Sequence, residues 1–286
     1  MGQPHGFPAE RDPASDRPGV KESTRAKVIA AAKRLNYRIN LTASMLKSGR
    51  SNIIHVIVNE FDSPFYSKLT QALSNEIVSR GLIPFIEQTQ YSPDAAEHAL
   101  SSNPFSGQLF DGEILHATGL GTNVPLSKLN GGRPFVLLDA CEETPTVDAV
   151  NFPNESMVFE AGDVANGIIA GHAIAERILA ARSGHGGTEF DGACCANDFA
   201  AFGVIRGLAD RGLRVPQDVK VIGFDGVTSG SYTTPALSTI QVDFTQLAKF
   251  SVDMLSERID HGTDEALPPR RAIIGYQLVD RESTAV

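Results

Sequence analysis

An α/β fold, with a mostly parallel sheet and helices on both faces, is the architecture this sequence predicts. Short β-branched apolar runs recur along the chain, the clearest being IIHVIV at 53–58. Such runs mark strands buried on both faces. Segments with apolar residues at helical spacing alternate with them. That βαβα order calls for parallel strands joined by right-handed helical crossovers.

The elements follow in chain order. Residues 1–19 are rich in Pro, Gly and charge, lack periodicity, and read as a mobile tail. Ser23-Thr24 can cap a helix whose apolar stripe is Val28, Ala31, Ala32 and Leu35, ending near Asn36-Tyr37. A second helical segment over 40–46 is too short to stand alone in water. Gly49-Arg50-Ser51-Asn52 links it to the body. There the pattern predicts a strand over 53–59, then a helix over 64–80 opened by Pro64 and closed by Gly81. A strand over 82–88, a helix over 93–100 and strands over 112–117 and 134–140 come next. A helix over about 164–181, a strand over 191–197, a helix over 198–211 and a strand over 219–226 continue the series. A helix over 243–259 and one closing strand over 271–279 complete it. Ligands in such sheets sit at the carboxyl ends of strands. Asn59, Phe61, His116, Asp139, Asn197 and Asp225 are therefore the first candidates.

Charge divides the chain. The whole carries −9, which argues against nucleic acid as a partner. Residues 17–50, however, hold nine basic side chains and one acidic, a balance of +8. Residues 51–286 hold 15 basic and 30 acidic, a balance of −15. A small basic head on an acidic body is the asymmetry of a nucleic-acid-binding arm joined to another module.

Other classes fall away. No apolar run approaches the roughly 18 residues of a membrane span. Residues 1–20 hold no apolar signal core, so no secretory signal is expected. Three cysteines, two of them adjacent at 194 and 195, do not read as a disulfide framework; a reducing, cytoplasmic setting fits. Cys194 and Cys195 read as small core residues of a buried strand. No CxxC, HExxH or GxSxG spacing occurs, so no metal, no cofactor and no catalytic residue is expected.

STRAKVIAAAKRLNYRIN followed by LTASMLKSGRSN resembles the third helix and hinge helix of the lactose repressor/galactose repressor (LacI/GalR) transcription regulators. SPFYSKL, DGEIL, CCANDFAAFGVIRGLADRGLRVPQDVKVIGFDGV, TTPALSTIQVDF and LVDRESTA resemble successive segments of that family's effector domain. The resemblance covers residues 18–148 and 191–286. It implies a periplasmic-binding-protein-like effector domain, with two doubly wound parallel-sheet lobes, behind a remnant helical DNA-binding head and hinge helix. Residues 1–16 do not resemble the two helices that open the family's head. Several dozen residues fewer than in the family separate Asp139 from Asn197, so the second lobe is expected to be shortened. The implied divisions are a tail at 1–19, a partial head and hinge at 20–50, and an effector-binding and dimerisation domain at 51–286.

In the family, paired hinge helices enter the minor groove, and a leucine from each wedges between base steps. The resemblance assigns that leucine to Leu46, the close-approach residue to Ala43 and the hinge start to Asn40, with Lys47 and Arg50 as basic neighbours for phosphate. A solvated basic helix contacting the acidic body is the alternative. The resemblance assigns effector contacts to Phe65, Tyr66, Asn197 and Asp225, with Asp62 and Asp139 as weaker candidates. An amide and a carboxylate beside an aromatic wall suit a sugar, and purines as well. Asn197 and Asp198 can instead cap the following helix; Asp198 fits the cap better and Asp225 fits ligand better. The expected protein is a cytoplasmic, non-enzymatic repressor that binds operator DNA as a homodimer and senses a small effector, a sugar. The alternative is a truncated effector-binding module without specific DNA binding.

Overall fold

Two sheets organise the chain. The computed structural model describes residues 22–35, 48–101, 109–116, 132–139, 147–151, 169, 171–173, 175, 191–262 and 267–285. The tail over 1–19 and the hinge segment over 40–46 lie outside them.

The first sheet holds β1 (Ile53–Val58), β2 (Ile83–Gln88), β3 (Gly112–His116), β4 (Phe135–Leu138), β5 (Asp148–Asn151) and β9 (Arg271–Ile273). Its order is β2-β1-β3-β4-β5-β9, and every pairing is parallel. The second holds β6 (Gly192–Cys194), β7 (Lys220–Asp225), β8 (Ser238–Val242) and β10 (Tyr276–Val279), in the order β10-β8-β7-β6. Only β10 runs antiparallel there. Among the described residues the helices that complete the frame are α1 (Glu22–Arg34), α2 (Pro64–Ser79), α3 (Pro93–Ser101), α4 (Asp198–Ala209) and α5 (Phe244–His261).

Alternation along the strands sorts the first core into two layers. Ile54, Val56 and Val58 of β1, with Ile114, Val136 and Leu138, meet Leu69, Leu73 and Ile77 of α2 and Leu247, Val252 and Leu255 of α5. The opposite face puts Ile57, Leu115, Leu137 and Ala149 against Ala99 and Leu100 of α3. Each fully buried Ile or Leu contributes about 1.5–3 kcal/mol, so these layers decide the fold. In the second lobe Ala201, Val204, Ile205 and Leu208 of α4 cover Val219, Val221 and Leu237. Ser63 caps α2 by accepting from the Phe65 N–H, and Pro64 stands where no amide hydrogen is needed. Asp243 caps α5 through the Gln246 N–H at 2.9 Å.

Several expectations need correction. The predicted closing strand over 271–279 is two strands in different sheets: β9 pairs with β5 and β10 with β8. The Ile274 N–H donates to Asn151 and the Gly275 N–H to the Gln246 side chain, which ends one ladder and turns the chain toward the other. β5 and β8 were not predicted, because buried polar residues interrupt their apolar signal. Asp148, Ser238 and Thr239 are all fully buried, and each is hydrogen-bonded. Cys195 is buried as expected, but Cys194 is exposed on β6, the last strand of its sheet among the described residues. Val28 and Leu35 of the predicted α1 stripe are 47% and 73% exposed.

Gly223 allows β7 to touch the start of α4. A Cβ there would lie 2.2 Å from the Asp198 Oδ1 and 3.1 Å from its Cα. Gly223→Ala is expected to lower stability by about 1–3 kcal/mol, measured by urea denaturation. Unchanged stability would mean that α4 can withdraw freely from the sheet.

Candidate functional site

The carboxyl ends of the strands of the two lobes approach one another: Asp225, ending β7, lies near Asp139, ending β4, and Lys68 of α2 reaches Gly226; the crevice between these ends is the candidate site. On the first lobe the rim comes from the start of α2 and the ends of β3 and β4. Phe65 is half-buried, and its ring meets the edges of Tyr66 (5.1 Å), Phe244 (5.3 Å) and His116 (6.0 Å). Tyr66 is buried, and its hydroxyl accepts from the Asn59 amide at 2.8 Å. The predicted aromatic wall therefore presents Phe65, with Tyr66 and Asn59 supporting it from below. His116 is buried under both rings. Burial holds its pKa below the ordinary value, against the pull of Asp139, so the imidazole is neutral at pH 7.

The second lobe supplies Asn197 and Asp225. Asn197 is the residue that caps α4: its Oδ1 accepts from the Ala200 N–H at 2.7 Å. The amide hydrogens of its NH2 group are not used by that bond. The expectation that Asp198 would be the cap is corrected. Asp198 is fully buried, and its carboxylate accepts from the Val227 N–H (2.7 Å) and the Thr239 hydroxyl (2.6 Å). It ties α4 to the loop after β7 and to β8. Burial pushes its carboxyl up to about 6, against the Thr239 and Val227 bonds.

Backbone strain marks the same rims. Asp139, ending β4, has φ +56°, and Asp225, ending β7, has φ +113°. Non-glycine residues rarely hold such angles, and each costs of order 1–3 kcal/mol. Burial, then Asp198 and Asp139 as like-charged neighbours, holds the Asp225 carboxyl well above the ordinary carboxylate range. A carboxyl of that kind can donate as well as accept.

The lobes touch at Lys68 of α2, whose ammonium donates to the Gly226 carbonyl at 2.6 Å. Gly226 has φ +70°, and a Cβ there would lie within 2.6–2.9 Å of Gln241. Only glycine fits between Lys68 and β8. Phe244 was missed by sequence reading. It stands two residues past the end of β8, after the cap Asp243, and without that strand the strand-end rule had nothing to act on. Asp62 and Phe61 are exposed on the loop before α2.

Among the DNA-binding candidates, Asn40, Ala43, Leu46 and Lys47 lie outside the described residues. Arg50 turns onto the body, donating to Asp260 Oδ1 and to the Ile259 carbonyl, both at 2.9 Å. The next residues are held too: Ser51 N and Asn52 N donate to the Asp111 carboxylate at 2.7 and 2.8 Å. Among the described residues no group of three or more His, Cys, Asp or Glu could hold a metal ion, and no helix is long and apolar enough to cross a membrane.

Comparison with known proteins gives this geometry its context. Residues 145–284 match the periplasmic binding protein-like domain family. The HTH-type transcriptional repressor PurR of Haemophilus influenzae (strain PittEE) is 25% identical over 310 residues, covering 92% of this chain and 90% of that protein. A LacI-family transcriptional regulator from Sanguibacter keddieii superposes with TM-score 0.68 at 25% identity, over 83% of this chain and all of that one. The lac repressor dimer bound to operator and the anti-inducer ONPF gives TM-score 0.68 at 19% identity, over 93% of this chain and 92% of that one. Two lobes of mainly parallel sheet and relatives matched along nearly their whole length make the chain similar to the LacI/GalR transcription regulators, with a periplasmic-binding-protein-like domain over residues 145–284.

Proposed function

We propose that this chain is a cytoplasmic, ligand-responsive repressor, without catalytic activity, that binds operator DNA as a homodimer and senses a small sugar-like metabolite between its lobes. One arrangement supports the reading: Phe65 packs against Phe244, Lys68 of the same helix as Phe65 bonds Gly226, and the strained Asp225 precedes that glycine, near Asp139 of the first lobe. Rings supply an apolar face, and an amide and a carboxyl supply paired donors and acceptors for hydroxyl groups. A ligand touching both rims binds one lobe arrangement better and shifts the population toward it. Such coupling is typically worth about 1–3 kcal/mol, or 5–150-fold in operator affinity. A two-fold operator calls for a two-fold protein, which supports the homodimer. Asn40, Ala43, Leu46, Lys47 and Arg50 belong to the proposed DNA-binding segment.

The exposure of Val28 and Leu35 favours a second reading. A head with half of its apolar stripe exposed fits an effector-binding module without specific DNA binding. Fluorescence anisotropy on palindromic DNA, with a salt titration and added sugars, separates the two. The repressor reading expects binding that weakens steeply with salt and shifts with ligand. Thermal stabilisation by a sugar with no DNA affinity in 50 mM salt establishes the second reading instead.

A further inference from the structure

We propose that a groove between α2 and the β8–β10 ribbon is a second ligand site, separate from the crevice, for a neutral polyhydroxylated molecule of carbohydrate type. The groove has a volume of about 850 Å³, within the roughly 300–1,000 Å³ of small-molecule pockets. One wall is α2, with Ser67, Gln71 and Asn75, and the other is the strand ribbon, with Gln241, Tyr276 and Gln277. Lys68 and Phe244 line it as well. Lys68 is bonded to Gly226, and Phe244 is stacked edge-on to Phe65, so the two residues divide the groove from the crevice.

The lining chemistry selects the ligand class. Gln241 and Gln277 are directly opposed in the antiparallel ladder, so their carboxamides stand side by side on one face. Across the groove Gln71 and Asn75 lie one turn apart, and the Gln71 amide donates to the Asn75 carbonyl at 2.9 Å. Two carboxamide pairs facing one another offer both donors and acceptors, as vicinal hydroxyls require. Tyr276 is 60% exposed and adds a ring with a polar tip. The two charged lining residues, Lys68 and Asp243, cancel, and each is engaged within the protein. Nothing in that lining favours an ionic ligand.

The walls belong to different lobes, so the bound molecule spans them as the crevice ligand does, but from the other side of the Lys68 bridge.

Calorimetric titration of the full chain with maltose, cellobiose and trehalose tests this. At least one disaccharide is expected to bind with an affinity that falls tenfold or more in Tyr276→Ala/Gln277→Ala. It is expected to fall similarly in Gln71→Ala on the opposite wall and to stay within twofold in Asp225→Asn. Gln71 is exposed on α2, so that variant carries the test if the edge-strand variant fails to fold. Binding that follows Asp225→Asn alone overturns the second site and leaves the crevice reading standing. Binding of none of the three disaccharides, or binding indifferent to Gln71, Tyr276 and Gln277, overturns it as well.

Discussion

Asp225→Asn is expected to weaken effector binding about 10- to 100-fold, the loss associated with a hydrogen bond from a charged or strongly polar group. The same change is expected to raise the melting temperature at pH 8. The carboxyl is held well above its ordinary value by burial and by Asp198 and Asp139. For a group raised on folding, its stabilising contribution is present below the unfolded value, near 3.8, and is lost as pH rises through the folded one. An amide carries no such loss, so the advantage of Asn is absent in acid and grows with pH. Asn also tolerates the left-handed backbone better than most residues. Higher stability with weaker binding would show that the carboxyl is kept for its chemistry. Calorimetric melting at pH 4 and 8, beside ligand titration, reads both effects. Unchanged binding removes Asp225 from the site, and a lower melting temperature at pH 8 contradicts the electrostatic account.

Asp148→Ala should cost about 3 kcal/mol at pH 7. Asp148 is fully buried and accepts from Arg258 Nε and Nη2 at 2.6 and 2.8 Å, and from the Arg270 backbone N–H at 2.8 Å. Removing it takes away the carboxylate shared by the two guanidinium groups, leaving Arg270 with Glu257 and Arg258 with the Leu267 and Pro268 carbonyls. The figure is at the low end for a broken buried pair because the Arg258 and Arg270 side chains keep 20% and 35% exposure. Burial alone would raise the Asp148 carboxyl, but the bonds from Arg258 and Arg270 outweigh it and hold it below its ordinary value. A depressed carboxylate stabilises the fold above its unfolded value, and that stability is lost as pH falls through the folded value. The deficit of the variant should therefore shrink in acid. Urea denaturation at pH 7 and pH 3 measures it. A loss below 1 kcal/mol at neutral pH would mean that both arginines escape to water.

Legibility followed the physics of burial. Strands whose signal is a continuous apolar run, such as 53–58 and 112–116, were readable within a residue or two. β5 and β8 were not, because Asp148, Ser238 and Thr239 are buried through hydrogen bonds that only the folded chain supplies. The split of 271–279 was hidden for a related reason: both halves have strand composition, and only their different partners separate them. The strand-end rule named Asn197 and Asp225 as candidates, but it could not divide capping between Asn197 and Asp198. That choice turned on Thr239 and Val227, which lie on elements distant in sequence. Phe244 depended on an unread strand, and the burial of Tyr66 depended on Asn59.

The placement of α5 has a mechanical consequence. The helix begins at Phe244, in the crevice, and its eighteen residues end beside Ile259 and Asp260, where Arg50 is seated. At 1.5 Å per residue that is a rod of about 27 Å. α5 therefore joins Phe244 and the Arg50 seat as the two ends of one rigid element. Asp111 pins Ser51 and Asn52 to the first sheet at the same time. The segment leading to the basic head therefore leaves the body from a junction held at two points, by the end of α5 and by Asp111.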